Sequence, residues 1–400
     1  MRSLRCATKA GALLLLVLLV VPASAAQTNH KTIARCGQGW LETINGYRVL
    51  HLKGTPYEMG YQHGALLKDD CRQNLGHLVN DLGNEKIKIG PVSVTARSAI
   101  DSIVALQKKF LPNKYAQELD GLAAGAGMKR SDVYAGNFIP ELFHCSGFAV
   151  MNSATKDGTL YHGRVLDYSI DWQLQDHAVL IVAEPDGEIP FVNVTYAGFI
   201  GSVTGMNAQH IAIGEMGGGG QGQWKGVPMA FLVREVLQTA KTLDQAIAVF
   251  RDNPRTCEYF FVVSDAKSNK AVGLATDWKS MQVIHPGQAH PRLPEPVKDA
   301  VLMSSGDRYK ELVRRVKAEF GRIDTQKAIH LMDRPVAMKS NLHDALFVPA
   351  TTKFWVANAS KDCQPAATQP YHEFQLTALL AAKPDPTAPA IACKVSVDSK

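Results

Sequence analysis

Apolar positions along this chain change period twice, and each change predicts a different kind of element. The first is an uninterrupted apolar run from Gly11 to Val21, preceded by Arg2, Arg5 and Lys9 and followed by Ala23-Ser24-Ala25. The run is too short to span a bilayer comfortably, so the basic flank and small residues predict a secretory signal over residues 1–25. Residues 27–46 are polar and unpatterned and predict an exposed arm. Tyr47 to Leu52 alternates as a short strand. Thr55 then makes an N-cap, Pro56 fits the first helical turn and Glu58 completes a capping box, which predicts a helix from there through about Leu82. Helical spacing continues over residues 92–128, carried by Ile100, Ile103, Val104, Leu106 and Phe110, then Leu119, Leu122 and Ala123.

The second change falls at Cys145. Segments 146–152, 159–167, 178–184, 190–197, 200–206 and 209–216 read as short strands parted by Gly, Asp-Gly or Asn turns. Helices are predicted at 228–239 and 242–251, and strands at 257–264 and 270–276. Helices follow at about 306–318 and 325–332, and extended segments at 344–348 and 353–357. This order predicts an α+β layered architecture with largely antiparallel sheets. A Pro-rich stretch from Lys383 to Pro389 predicts a loosely held tail. The chain therefore divides into the signal (1–25), a helix-rich segment (26–144), a catalytic segment (145–382) and the tail (383–400).

Charge narrows the partners. The formal net charge of +6 falls to +3 when the signal leaves, because it carries three basic residues and no acidic ones. No Lys/Arg run is dense enough for a nucleic-acid patch. No second apolar run approaches 18 residues, so a soluble exported product (secreted or periplasmic) without a stable membrane anchor is expected. Six of the seven cysteines lie past the signal: Cys36, Cys71, Cys145, Cys257, Cys363 and Cys393. Export favours disulfides, with Cys363–Cys393 and Cys36–Cys71 as the pairings considered. The thirteen histidines show no H-E-x-x-H or comparable spacing, so neither a metal nor a cofactor is expected. Gly217 to Gly222 lacks the Lys-Ser/Thr of a phosphate loop and reads as a surface loop, or one near a substrate entrance.

The candidate chemistry centres on Cys145, in Phe143-His144-Cys145-Ser146-Gly147-Phe148. A Lys156-Asp157-Gly158 turn joins its strand to Gly163-Arg164-Val165-Leu166-Asp167. Were the chain cut before Cys145, one residue would supply both a thiol nucleophile and an α-amine base, whose reference pKa near 8 leaves a useful neutral fraction at pH 7. Arg164 would stabilise the thiolate. Asp167 could orient the amine, although its offset of three from Arg164 requires a bend. The bland alternatives are a buried or bridged cysteine and a surface Arg–Asp pair worth little.

These residues, in this order, resemble the N-terminal-nucleophile (Ntn) hydrolases, and more narrowly the autoproteolytic cysteine acyltransferases and hydrolases that include the penicillin-biosynthetic acyltransferase. The resemblance is carried by Gly54-Thr55-Pro56-Tyr57 through Gly60-Tyr61-Gln62-His63-Gly64, the Cys145 segment, Lys156-Asp157-Gly158 through Asp167, and Gly205-Met206-Asn207. Met338 to Phe347 and Gln369-Pro370-Tyr371 extend it. It implies a four-layer αββα sandwich and a precursor that cuts itself between His144 and Cys145. The enzyme would then form an acyl-thioester on Cys145 from a small amide or acyl substrate and pass the acyl group to water or an amine. Arg164 would support the thiolate and Asp167 would position the amine.

The chain departs from the pattern in three places. Val165 stands where many relatives have Asn, and His144 where penicillin acyltransferase-type precursors have Gly. Met303-Ser304-Ser305-Gly306-Asp307-Arg308 holds no Asn where relatives carry a Thr-Asn pair that helps form the oxyanion hole. Arg308 and Asn207 are kept as substrate or oxyanion candidates. The competing readings are an uncleaved thiol hydrolase with a His base and an inactive Ntn-like binding protein.

Overall fold

A computed structural model describes residues 30–89, 92–139 and 145–393. The chain begins with β1 (His30–Cys36), β2 (Gly39–Ile44), β3 (Tyr47–Gly54), α1 (Pro56–Leu66), α2 (Lys68–Gly76), β4 (Lys86–Ile89) and β5 (Val92–Thr95). Next come α3 (Ala96–Gln107), α4 (Asn113–Ala126), α5 (Arg130–Asn137), β6 (Ser146–Asn152), β7 (Gly158–Asp167), β8 (Ala178–Pro185) and β9 (Phe191–Tyr196). The middle of the chain holds β10 (Thr204–Asn207), β11 (Ile211–Gly217), α6 (Met229–Thr239), α7 (Leu243–Asp252), β12 (Glu258–Asp265), β13 (Lys270–Asp277) and β14 (Met281–Ile284). It closes with β15 (Ala300–Met303), α8 (Gly306–Ala318), α9 (Thr325–His330), β16 (Asn341–Val348), β17 (Lys353–Asn358), β18 (His372–Gln375) and α10 (Leu376–Ala381).

Two large sheets lie face to face. Ten strands run in the order β1-β2-β3-β8-β9-β10-β11-β12-β13-β14, six in the order β15-β6-β7-β16-β17-β18, and β4-β5 form a separate pair. β3 and β8 pair in parallel, whereas the neighbours of the six-stranded sheet are all antiparallel. Met59, Leu119, Leu122, Phe231 and Phe250 of the first helical layer pack on Leu50, Ile181, Phe191 and Phe261 of the large sheet. Val49, Leu180, Val192 and Met206 meet Ala345, Phe347 and Phe354 between the sheets. Leu312, Val313, Val316 and Ile329, from α8 and α9, cover Val150, Leu160 and Leu302 of the smaller sheet. The result is the α+β, αββα layering that the resemblance implied. Among the described residues no helix is long and apolar enough to cross a membrane.

The capping box forms as read: Thr55 N–H donates to Glu58 Oε2 at 2.8 Å and Glu58 N–H to Thr55 Oγ1 at 3.4 Å. The helix does not continue to Leu82. It breaks at Leu67 (φ −119°, ψ 36°) and restarts as α2. Gly60 of the motif and Gly121 of α4 set the contact between α1 and α4. A Cβ at Gly60 would sit 1.9 Å from Glu118 O, and one at Gly121 would sit 2.1 Å from Tyr57 O. Both obstacles are backbone, so the helices must part to admit a methyl. Gly121→Ala is expected to destabilise the protein by about 3 kcal/mol, read as a lower urea midpoint at unchanged m.

Two other segments differ from expectation. The polar stretch 27–46 is no arm over its described part, because β1 and β2 extend the large sheet and Trp40 stacks on His51 with ring centroids 3.9 Å apart. It reads as polar because an edge hairpin has one face toward solvent. The Pro-rich tail is not loose either. Arg35 N–H donates to Pro389 O and Ile391 N–H to Arg35 O, both at 2.8 Å, so the tail lies alongside β1.

Candidate active site

Cys145 immediately precedes β6 and is 2% exposed. Register then sets the partners: Ser146 pairs with Val165 and Gly147 with Arg164 on β7, while Arg164 faces Ala345 and Asp167 faces Asn341 on β16. His144, the other side of the expected cut, lies outside the described residues.

Arg164 and Asp167 reach towards different partners. Arg164 is fully buried and enters the layer between the sheets, with its guanidinium 3.5 Å from Glu215 Oε2 on β11. Gly214 makes room for it, since a Cβ there would lie 3.1 Å from Arg164 Cγ. Asp167 turns the other way, as two strand positions three apart must. Its Oδ1 accepts the Met338 N–H at 2.8 Å, and its Oδ2 accepts Arg308 Nη1. Arg308, in the first turn of α8, also donates through Nη2 to the Cys145 carbonyl oxygen at 3.4 Å and through Nη1 to Val336 O at 3.2 Å. The irregularity that lets Asp167 reach these donors is on β16, where the register shifts between Asn341 and His343. Burial pushes the Asp167 carboxyl up to about 6, against the lowering influence of Arg308, the Met338 N–H and Arg164.

The structure thus brings Cys145, Arg308 and Asp167 into one hydrogen-bonded chain and puts Arg164 in a separate ion pair. Asn207 belongs to neither. Its amide nitrogen donates to Leu237 O and Ala240 O, and its oxygen accepts from Gln209 N–H and Ile211 N–H, all at 2.9–3.0 Å. That fully used side chain ties the β10–β11 turn to α6, and it does not line the Cys145 cavity.

Sequence reasoning missed several neighbours. Glu215 sits in an apolar-looking strand, and only its place opposite a buried arginine singles it out. Ser146 Oγ and Ser304 Oγ share a hydrogen bond at 2.8 Å. Asp344, on the strand beside β7, accepts from Asn341 Nδ2 at 2.8 Å and from Tyr371 OH at 3.0 Å, and burial pushes it well above the usual carboxylate range. The Met338–Phe347 and Gln369–Tyr371 stretches therefore meet as a buried polar brace under the site strands. His343 bonds Tyr196 OH and Thr204 Oγ1, and His162 bonds Ser264 Oγ. Burial, aided by Arg164, holds both imidazoles neutral, with His162 lowered to about 3.

Cys145 opens on a cavity of about 270 Å³ walled by Met216, Gly217, Phe260, Arg292 and the Met303–Gly306 stretch. The region singled out as lacking the Thr-Asn pair therefore does face Cys145. Arg292 closes one side, donating to Gly218 O at 2.6 Å, so the glycine loop borders the site. Cys145 also belongs to one buried apolar cluster with Leu78, Leu166 and Tyr168. Leu78 and Tyr168 line two adjoining apolar cavities, of about 90 and 820 Å³, that also share Ile139 and Trp172, and Leu166 lines the smaller. A polar cleft of about 1000 Å³ bounded by Arg48, Asp70, His77, His177 and Lys361 includes neither Cys145, Asp167 nor Arg308. It is not where this chemistry lies.

The layering is the one that the resemblance to the Ntn hydrolases implied. Residues 153–290 match the family model described as acyl-coenzyme A:6-aminopenicillanic acid acyl-transferase, which bears out the resemblance read from the sequence. The matched stretch holds Arg164, Asp167, Asn207 and Glu215 and begins after Cys145. Among curated proteins, the chain is 28% identical to protein dcd1A of Dictyostelium discoideum over 253 residues, covering 56% of this chain and 57% of that one. It is 22% identical to the N-acylethanolamine-hydrolyzing acid amidase of Cavia porcellus over 186 residues, covering 44% of this chain and 52% of that one. The chain thus spans little more than half the length of these relatives. Among solved structures it is similar to the Caenorhabditis elegans ortholog of that amidase, with a TM-score of 0.41 and 19% identity over 51% of this chain and 93% of that one.

Proposed function

We propose that the protein is an exported cysteine amidohydrolase that cuts itself between His144 and Cys145 and releases an apolar acyl group from an amide. The observation that carries this reading is the Asp167–Arg308–Cys145 chain of hydrogen bonds at the wall of a cavity. Once the chain is cut, the α-amine of Cys145 takes the thiol proton and the sulfur attacks the substrate carbonyl. Collapse of the tetrahedral adduct expels the amine, which leaves with that proton, and a thioester remains. Water then attacks with the α-amine again as base, and the acid departs.

Arg308 steadies the nucleophile's backbone, and Asp167 fixes the guanidinium that does so. Arg164 keeps positive charge in the inter-sheet layer behind the thiol. The positive end of α8 borders the cavity, where it favours the thiolate and the oxyanion of the adduct. A base other than the new terminus is disfavoured: among the described residues no histidine lines the cavity, and burial lowers the pKa of His162 and His343, which makes both poor proton acceptors. This argues against an uncut thiol hydrolase with a His base.

The apolar cavities beside Leu166 and Tyr168 favour an apolar acyl group over a charged one. A series of amides differing only in acyl length tests this. Values of kcat/KM are expected to rise about fourfold per added methylene until the cavity is full, since each buried methylene contributes roughly 0.8 kcal/mol. A flat series would show that the acyl group binds elsewhere. Added amine measures the share of turnover that is acyl transfer, with water as the expected main acceptor.

A further inference from the structure

We propose that Cys36 and Cys393 form a disulfide that fastens the C-terminal tail to the first strand. The pairings considered from sequence do not occur: Cys363 is exposed beside Gln175 and Cys71 is buried in the core. The tail instead runs parallel to β1, bonded to both sides of Arg35, and Arg35 Nε also donates to Ala388 O at 3.2 Å. Cys393 therefore arrives at Cys36. A Cβ on the next residue, Gly37, would lie 3.3 Å from Cys393 Sγ and 3.8 Å from Cys393 Cβ. Both thiols pack into the cluster under α1. A disulfide needs two β-carbons about 4 Å apart on adjoining backbone, and a strand pair supplies that.

The two sulfurs have unequal access. Cys36 is 1% exposed, and burial followed by the Cys393 thiol pushes its pKa up beyond the ordinary thiol range. Cys393 is half-buried at the tail's end. Oxidation therefore starts at Cys393, whose thiolate attacks the disulfide of a dithiol/disulfide donor and releases one donor thiol. Cys36 gives up its proton and displaces the second donor thiol. One S–S bond forms in the protein, the donor's is reduced, and two protons are accounted for on the donor's thiols. Once made, the bond is shielded by the buried Cys36 side. Resting on the self-cleavage proposed above, a further consequence follows: Cys36 lies before the cut and Cys393 after it, so the bond joins the two fragments covalently.

The test uses full-length protein incubated with oxidised glutathione, alkylated without reduction, and mapped by protease digestion and mass spectrometry. The expected result is a linked Cys36–Cys393 peptide pair that separates on reduction. Alkylation of both cysteines, or linkage of either to another, overturns the proposal. Cys393→Ser, at the half-buried end, is expected to lower Tm by about 3–6 °C from the oxidised protein and to leave the reduced protein's Tm unchanged. An equal loss in both states would mean a packing effect only and would also overturn it. Gels separate the two readings. Fragments seen only after reduction support bond and cut together, and fragments in the unreduced lane disprove the bond while leaving the cut intact. A single band in both lanes speaks against the cut alone, and the peptide map still decides the bond.

Discussion

The Cys145→Ala protein is expected to accumulate as one uncut chain and to lose at least about 10⁴-fold in kcat/KM toward amide substrates. Both losses have one cause. In the proposed mechanism the sulfur that attacks the carbonyl of His144 in the precursor also attacks the substrate carbonyl in the mature enzyme, and alanine offers no nucleophile to either. The fold should survive, because Cys145 is a small side chain at the edge of an apolar cluster, and the change removes a single atom from its wall. A gel reads the cut, thermal unfolding reads the fold, and an amide assay reads turnover. Activity within tenfold of the parent would remove Cys145 from the mechanism and require a different nucleophile in its place.

The second large effect is at Asp167. With its carboxyl raised to about 6, activity should fall as pH drops through that value, because a protonated oxygen no longer accepts from Arg308 and Met338 N–H. Stability should move the opposite way. A carboxyl whose folded pKa exceeds its ordinary 3.8 binds its proton more tightly in the folded state. Its stabilising contribution is therefore full below about 3.8 and is lost as pH rises through about 6. That difference is worth on the order of 3 kcal/mol. Asp70 is shifted down to about 2 by His177 and Arg48 despite its burial, and contributes with the opposite sign. The quantity to measure is thus parent minus Asp167→Asn. The variant should lose the acid limb near pH 6 and about 10²-fold in rate, and the difference in unfolding free energy should slope only between about pH 4 and 6. An unchanged acid limb would assign that titration to another group.

Much of this was legible in the chain because the cues were local. Thr55, Pro56 and Glu58 specify a helix start through hydrogen bonds three residues apart, and the strands after Cys145 are set off by turns at Asp157-Gly158 and Asn207. What escaped was non-local. The hairpin at 30–44 looks polar because one of its faces meets solvent, and the tail at 385–391 is held by backbone bonds to Arg35 that no side chain announces. Leu67 breaks a helix that no Pro or Gly marks. Arg164 and Asp167 read from sequence as two groups serving Cys145, with a bend needed to bring both there. Strand geometry sends them to opposite faces, and their partners, Glu215 and Arg308, are distant along the chain. Arg308 was picked out by resemblance. Glu215 is hidden in Ile211–Gly217, a strand buried along its whole length, where no alternation marks one face from the other.

Self-cleavage as proposed makes Cys145 a chain terminus. Intact mass and N-terminal sequencing of the purified, reduced protein test it most directly. Two species are predicted, the heavier beginning Cys145-Ser146-Gly147-Phe148, and the lighter ending at His144. A single uncut species that hydrolyses amides at full rate, with no chain starting at Cys145, would contradict it.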